Sequence, residues 1–263
     1  MQEANLQNSY TGNAEAAELE IVYYTDPLCC WSWAMEPQLR RVQFEYDGKI
    51  KWRYCMGGLL PDWKTFRDEV NAVSRPIQMG PVWMHAQAVS GMPMDFNLWM
   101  RDPPSSSYPA CIAFKSVSLQ SGDAATIYLR RLREAVMIRG ENISRENILV
   151  DIAKTLEDNT DYNFDLGKFK EDMHNDMALE AFRKDINEIQ YRNIKRFPTL
   201  IIKNGSNAGV IIVGYRTYDA LHNSLLHVAP SLKKNDVTMS EENYTSFWGF
   251  LTEKELGEIR TNE

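Results

Sequence analysis

The run Leu19-Glu20-Ile21-Val22-Tyr23-Tyr24 is short, apolar and rich in aromatic and β-branched residues, which predicts a strand over about 19–25. In 50–56 the apolar side chains alternate (Ile50, Trp52, Tyr54, Met56), the period of a half-buried strand, and the Gly57-Gly58 pair breaks it. Between the two, 30–46 reads as a helix. From there to about 192 the apolar period is helical, predicting helices at 64–72, 81–90, 108–121, 123–139, 145–157, 165–174 and 176–194. Strands resume at 199–203 and 209–214, followed by a helix over about 217–228 with Thr217 as its N-cap. Thr252 and Glu255 form a capping box that predicts a short last helix, and the aromatic run 244–251 before it must pack on its own core or on another subunit. No internal repeat interrupts this order. The pattern divides the chain into a disordered leader (1–17), a sheet-bearing core from 18–61 and 193–235, a helical insertion (62–192) and a tail (236–263).

Composition narrows the setting. With 263 residues, 44% hydrophobic and 25% charged, the chain has ample material for a core. A net charge of −7 and no basic stripe with interleaved aromatics argue against nucleic acid as a partner. The polar N-terminal segment reads neither as a signal peptide nor as an anchor, and no apolar run reaches membrane-spanning length, so no membrane partner is expected. Four cysteines in a chain this long do not make a disulfide scaffold, which points to a reducing, cytoplasmic setting. His85, His174, His222 and His227 lack metal-ligand spacing, the cysteines are not paired as zinc ligands, and there is no phosphate loop or Gly-x-Ser-x-Gly elbow. No bound metal is expected.

The chemistry concentrates in two segments. In Asp26-Pro27-Leu28-Cys29-Cys30-Trp31-Ser32-Trp33-Ala34-Met35-Glu36-Pro37, a strand delivers a cysteine to the start of a helix. Unpaired N–H groups and the positive end of the helix dipole sit there, which favours a thiolate. Cys29 is therefore expected to ionise below an ordinary thiol, with Asp26 blunting the effect, while Cys55 and Cys111 read as core packing. In Lys195-Arg196-Phe197-Pro198-Thr199-Leu200-Ile201-Ile202, a proline opens an apolar strand, a position that suits a residue without an N–H.

Together these segments resemble the thioredoxin superfamily, in which a cysteine motif caps the first helix, a proline kinks that helix five residues beyond the motif, and a cis-proline precedes a central strand. Pro37, Arg196-Phe197-Pro198-Thr199 and Gly214 stand where that pattern needs them. The Asp-Pro-Leu-Cys wording with Glu36-Pro37 is most similar to the cytoplasmic DsbA-like branch, which holds thiol oxidoreductases, kappa-class glutathione-dependent isomerases and protease adaptors. The implied fold is α/β: a thioredoxin-like fold with a large inserted all-helical subdomain. The resemblance implies Cys29 as nucleophile, Ser32 as its hydrogen-bond donor, and Trp31, Cys30, Phe197, Pro198 and Thr199 as the substrate-binding surface, with Phe197–Pro198 cis and against Cys29.

One position departs from the dithiol pattern. Three residues after Cys29 stands Ser32 instead of a second cysteine, so the two-thiol cycle is not available, and a disulfide to the adjacent Cys30 is strained. Three functions remain: a monothiol disulfide oxidoreductase or glutathione-linked enzyme, an adaptor that kept the fold and lost catalysis, and a kappa-type isomerase, whose relatives usually carry serine where this chain has Cys29. The expected partner is a thiol- or disulfide-bearing peptide or protein, or a small apolar substrate. Glutathione is expected as a co-substrate and no cofactor as tightly bound, and homo-oligomerisation stays open. The stretch 79–100, with Met79, Met84, Met92, Met94, Met100, Trp83, Phe96 and Trp99, reads either as subdomain core or as an apolar lid over Cys29.

Overall fold

The computed structural model describes residues 19–157, 162–205 and 209–260, so the expected 1–17 leader lies outside the described residues. Four strands, β1 (Glu20–Thr25), β2 (Lys51–Met56), β3 (Thr199–Lys203) and β4 (Gly209–Val213), form one sheet in the order β2-β1-β3-β4. β2 runs parallel to β1, whereas β3 is antiparallel to both β1 and β4. The crossover from β1 to the parallel β2 is helical, as parallel pairing requires.

β1 is buried on both faces. Ile21 and Tyr23 pack with Leu200, Ile202, Leu39, Val42, Leu221 and Leu225. Val22 and Tyr24 pack on the other side with Cys55, Ile189 and Ile201. The first layer comes from α2 (Glu36–Glu45) and, late in the chain, the helix Tyr218–Val228; the second comes from the helix Asp176–Tyr191.

The helix expected at 30–46 is two helices, α1 (Cys30–Ala34) and α2, joined at Met35. Pro37 has no N–H to give Trp33 and its ring crowds that carbonyl, so the chain breaks one turn earlier. The helix expected at 64–72 is absent. Asp62 Oδ1 takes the N–H groups of Lys64 and Thr65, and Asp68 pairs with Val73 in a bridge, so side-chain and bridge bonds satisfy the backbone in place of a helix.

The insertion is otherwise helical: α3 (Met79–Ser90), α4 (Leu98–Arg101, not expected), α5 (Tyr108–Ser118), α6 (Gly122–Arg133), α7 (Glu146–Lys154), α8 (Leu166–His174) and α9 (Asp176–Tyr191). A π turn, Glu134–Ile138, continues α6. Most of the methionine- and tryptophan-rich stretch enters the core of this layer. Met79, Met92 and Met94 are buried, and Trp83 stands edge-on to Trp99 with ring centroids 5.1 Å apart. Of its methionines, Met84 and Met100 face outward, and so does Val89.

After β4 come α10 (Tyr218–Val228), α11 (Glu241–Trp248) and α12 (Glu253–Arg260). Thr217 occupies the N-cap of α10, but its side chain makes no capping bond. The capping box before α12 does form: the Thr252 N–H reaches Glu255 Oε2 at 2.8 Å, and the Glu255 N–H reaches Thr252 Oγ1 at 3.3 Å. The tail packs on α2, with Phe44 edge-on to Tyr244 and Phe247.

Candidate functional site around Cys29

Cys29 sits in extended backbone at the N-cap of α1, where its sulfur accepts the Ser32 N–H at 3.4 Å. The Phe197–Pro198 bond is cis, and Cys29 Sγ donates to the Phe197 carbonyl at 3.5 Å. Two segments 168 residues apart thus meet at one sulfur. Gly57 makes room for this turn: a Cβ there would stand 2.3 Å from Phe197 Cζ.

The electrostatics run opposite to the sequence expectation. Cys29 is only 5% exposed, and its pKa is raised above the ordinary thiol value. Burial is the main cause. The Ser32 hydroxyl and N–H oppose it, Asp26 adds to it and Arg133 counters Asp26. A helix N-terminus favours a thiolate only where water or cations also solvate the charge, and here the surroundings are closed. The expected low pKa is therefore corrected: burial pushes this thiol up, not down.

The other expected site residues divide. Ser32 is fully buried directly behind the sulfur. Trp31 is half-buried beside Cys29 in sequence, edge-on to His85 with centroids at 5.4 Å, and 6.3 Å from Tyr215. Cys30, expected to face substrate, turns away into the helical core with Leu28, Met56 and Trp83, at 3% exposure. Thr199, also expected to face substrate, is buried and donates its hydroxyl to the Arg196 carbonyl at 2.7 Å, tying the proline turn together. Pro198 is buried too, and its carbonyl accepts the Gly214 N–H at 2.7 Å. What the turn offers Cys29 is the Phe197 backbone. Cys55 and Cys111 are both buried with raised pKa values, burial being the main cause for each.

Several residues at or behind this site lie outside the two motifs. His85 and Tyr215 wall Trp31. Asp26 is fully buried and accepts from Leu28 N–H, Leu59 N–H, Ser107 and, at 3.5 Å, Cys111; burial raises its pKa. Arg133 bonds Glu36, Thr25 and Tyr23. A signal for Arg133 existed in the sequence: it falls four residues after Leu129 and three before Val136, on the apolar stripe of α6. A charge there is out of place unless it has a buried partner.

Behind α1 and α2 the tail completes a buried ionic cluster. Glu255 pairs with Arg40 at 2.8 Å and Arg130 at 2.9 Å, and Arg130 also pairs with Glu134. Arg130 stacks over Trp33 and Arg40 over Trp248, at 4.5 and 4.4 Å from the ring centroids. A separate cavity of about 700 Å³ lies along the outer edge of β2, walled by Trp52, Tyr54, Phe114, Ile127 and Trp248, and takes nothing from the Cys29 site. Among the described residues no three His, Cys, Asp or Glu side chains are grouped to hold a metal ion, and no helix is long and apolar enough to cross a membrane.

Residues 23–223 match the model of a protein family described as Thioredoxin. The chain is 28% identical to the ClpXP adapter protein SpxH of Halalkalibacterium halodurans, over 92% of this chain and 78% of that one. It is also 28% identical to the SpxH of Bacillus subtilis, over 90% and 77%. Among solved structures, the cytosolic disulfide reductase DsbM of Pseudomonas aeruginosa superposes with a TM-score of 0.59 at 17% identity, covering 80% of this chain and 100% of that one. 2-Hydroxychromene-2-carboxylate isomerase superposes at 0.52 with 13% identity, covering 78% and 91%. The likeness to these two is one of fold. The cysteine-capped first helix, the cis-proline turn, the 2-1-3-4 sheet and the family match over most of the chain together place this chain in the thioredoxin family.

Proposed function

We propose that this protein is an adapter for ClpXP built on a DsbA-like scaffold, and not a disulfide enzyme that turns over by itself. The observation that carries this reading is the thiol arrangement at α1. Cys29 has Ser32 one turn on, and Cys30, the only other thiol nearby in sequence, is buried facing the opposite way. A mixed disulfide on Cys29 has no internal thiol to release it. Burial raises the Cys29 pKa and so disfavours the thiolate that exchange uses. Relatives named as ClpXP adapters, matched over most of both chains, support the same reading. The partner is then a protein, met in the cytoplasm. The test is direct: binding of the purified chain to purified ClpXP, alongside reduction of a disulfide-bonded protein substrate. Binding with no turnover above the uncatalysed rate is expected. Turnover without added glutathione, with no ClpXP binding, overturns the reading.

A second reading rests on the Cys29 sulfur touching the Phe197 carbonyl at the cis-proline. There an extended thiol-bearing segment can lie against the turn, and Cys29 exchanges one disulfide at a time with glutathione as co-substrate. Mass spectrometry of the protein isolated from its cells tests it: glutathione or a protein thiol on Cys29 favours exchange, and a free Cys29 removes it.

A further inference from the structure

We propose that the outer edge of β4 is a docking strand, which takes an extended, acidic segment of a partner protein as a further strand of the sheet. This deepens the adapter reading and rests on it only for the partner being a protein: it names the surface and the chemistry of what that surface takes. The strand used is β4, not the Phe197–Pro198 turn at which a thiol-bearing segment would lie.

The two edges of the sheet are built differently. Along a strand, the backbone N–H and C=O groups of successive residues point to opposite sides. The Lys51 N–H reaches the Leu19 carbonyl at 2.9 Å, toward β1, so Trp52, Tyr54 and Met56 present theirs outward from β2. Two of these outward groups are sealed: Lys115 donates to the Tyr54 carbonyl at 3.3 Å, and Asp185 accepts the Met56 N–H at 2.7 Å. β4 is the other edge, with no strand beyond it. The Gly214 N–H reaches the Pro198 carbonyl at 2.7 Å, toward β3, so Ile212 also faces β3 while Ile211 and Val213 turn their backbone groups to the open side. Those groups have no partner among the described residues. The side chains stand open as well, Ile211 at 62% and Val213 at 41% exposure. β4 carries neither the charge nor the proline with which bare edges are usually guarded. An unguarded apolar edge is the feature that strand addition uses.

Charge decides what lies against it. Between Glu188 and Asp219 the chain has no acidic residue and five basic ones, Arg192, Lys195, Arg196, Lys203 and Arg216, in a protein of net charge −7. Arg192 pairs with Glu188, and Lys203 with Glu20. Lys195, Arg196 and Arg216 are exposed and in no ion pair among the described residues; the Arg216 Nη1 donates to the carbonyl of its own neighbour Tyr215 at 2.7 Å. All three stand at the Val213 end of the β3–β4 hairpin. Thr199, which pairs with Val213, follows closely on Lys195 and Arg196, and Arg216 comes just after β4. An extended segment bonded to the Ile211 and Val213 backbone therefore meets apolar side chains along the strand and cations at its end, which call for carboxylates. A second copy of this chain lacks that complement, because the stretch 189–218 it would bring carries no Asp or Glu.

The probe is a short synthetic peptide alternating glutamate and valine, titrated into the full isotope-labelled chain and followed by amide NMR. Shifts concentrated in 209–213 are expected, with affinity falling as salt rises. Ile211→Pro removes an outward N–H and no bond to β3, at a position where an edge strand tolerates proline, and should abolish the shifts. Arg196→Glu with Arg216→Glu changes only exposed side chains. It should weaken binding at least about tenfold and shift the preference to the same peptide with lysine for glutamate. If Ile211→Pro does not fold, the peptide N-methylated at alternate residues takes its place and should not bind. Absence of shifts at β4, or binding that survives either Ile211→Pro or the charge reversal, overturns the proposal. So do concentration-dependent shifts at β4 without peptide, which would assign the edge to a second copy. Wild type that binds the peptide and not ClpXP keeps this edge and loses the adapter reading; wild type that binds ClpXP and not the peptide does the reverse.

Discussion

Replacing Glu255 by glutamine tests whether the tail is part of the fold or an appendage. Glu255 is 2% exposed and faces two guanidiniums, Arg40 and Arg130, and its Oε2 also accepts from Thr252. Burial alone would raise its pKa, but Arg130, Arg40 and the Thr252 N–H overcome burial and hold it at about 2. An unfolded carboxyl titrates near 4.3, so the folded state favours the ionised form by about 3 kcal/mol. An independent route gives a similar size: breaking one side of a buried ion pair costs about 3–5 kcal/mol, because the other charge stays buried and unpaired.

Glu255→Gln is therefore expected to destabilise by about 3 kcal/mol at neutral pH, a fall of about 10 °C in melting temperature for a chain of this size. The pH dependence carries a sign. A carboxyl with a lowered folded pKa contributes its stability above the unfolded value and loses it as pH falls toward about 2. Wild type and variant should thus differ fully at pH 7 and converge between pH about 4 and 2. Thermal or urea unfolding across that range is the assay. A cost below about 1 kcal/mol at pH 7, or a gap that stays constant down to pH 2, would refute the reasoning.

Ser32→Cys places a thiol one turn from Cys29, where α1 already holds the Ser32 N–H against the sulfur. The variant should form an internal disulfide between Cys29 and the introduced thiol and gain disulfide turnover; lack of both would show that the missing thiol is not what limits the site. All four thiols have raised pKa values, burial being the largest cause in each, so the stability they contribute is full below the unfolded thiol value near 8.5 and lost as pH rises past it. Unfolding midpoints should fall from about pH 9 upward, and a flat profile to about pH 10.5 would contradict this. Gly57→Ala must displace the Phe197 ring and with it the carbonyl under Cys29, costing about 1–3 kcal/mol and speeding Cys29 alkylation by opening the site; an unchanged melting temperature and alkylation rate would argue against that contact.

Local patterns along the chain are enough for the features that short-range physics controls. Alternating and continuous apolar runs placed all four strands, because side-chain direction along a strand depends only on parity. The capping box at Thr252 and Glu255 placed α12, because both partners lie within one turn. Two spaced motifs, the cysteine-capped helix and the Phe197–Pro198 strand opening, were enough to name the fold. The helix at 64–72 failed for the same local reason in reverse: Asp62 and Asp68 offered the backbone partners that periodicity does not count. Tertiary structure decided the rest. The thiolate expected at Cys29 rested on the helix N-terminus, which is local, whereas its pKa is set by burial, which depends on every element packed over it. The resemblance implies Cys30 and Thr199 as part of the substrate surface, whereas packing turns the Cys30 side chain into the helical core and ties the Thr199 hydroxyl to the Arg196 carbonyl. Arg133 and Glu255 entered from 97 and 215 residues away from the partners they meet, because a buried charge must be matched by whichever group the packing brings to it, and sequence distance has no bearing on that.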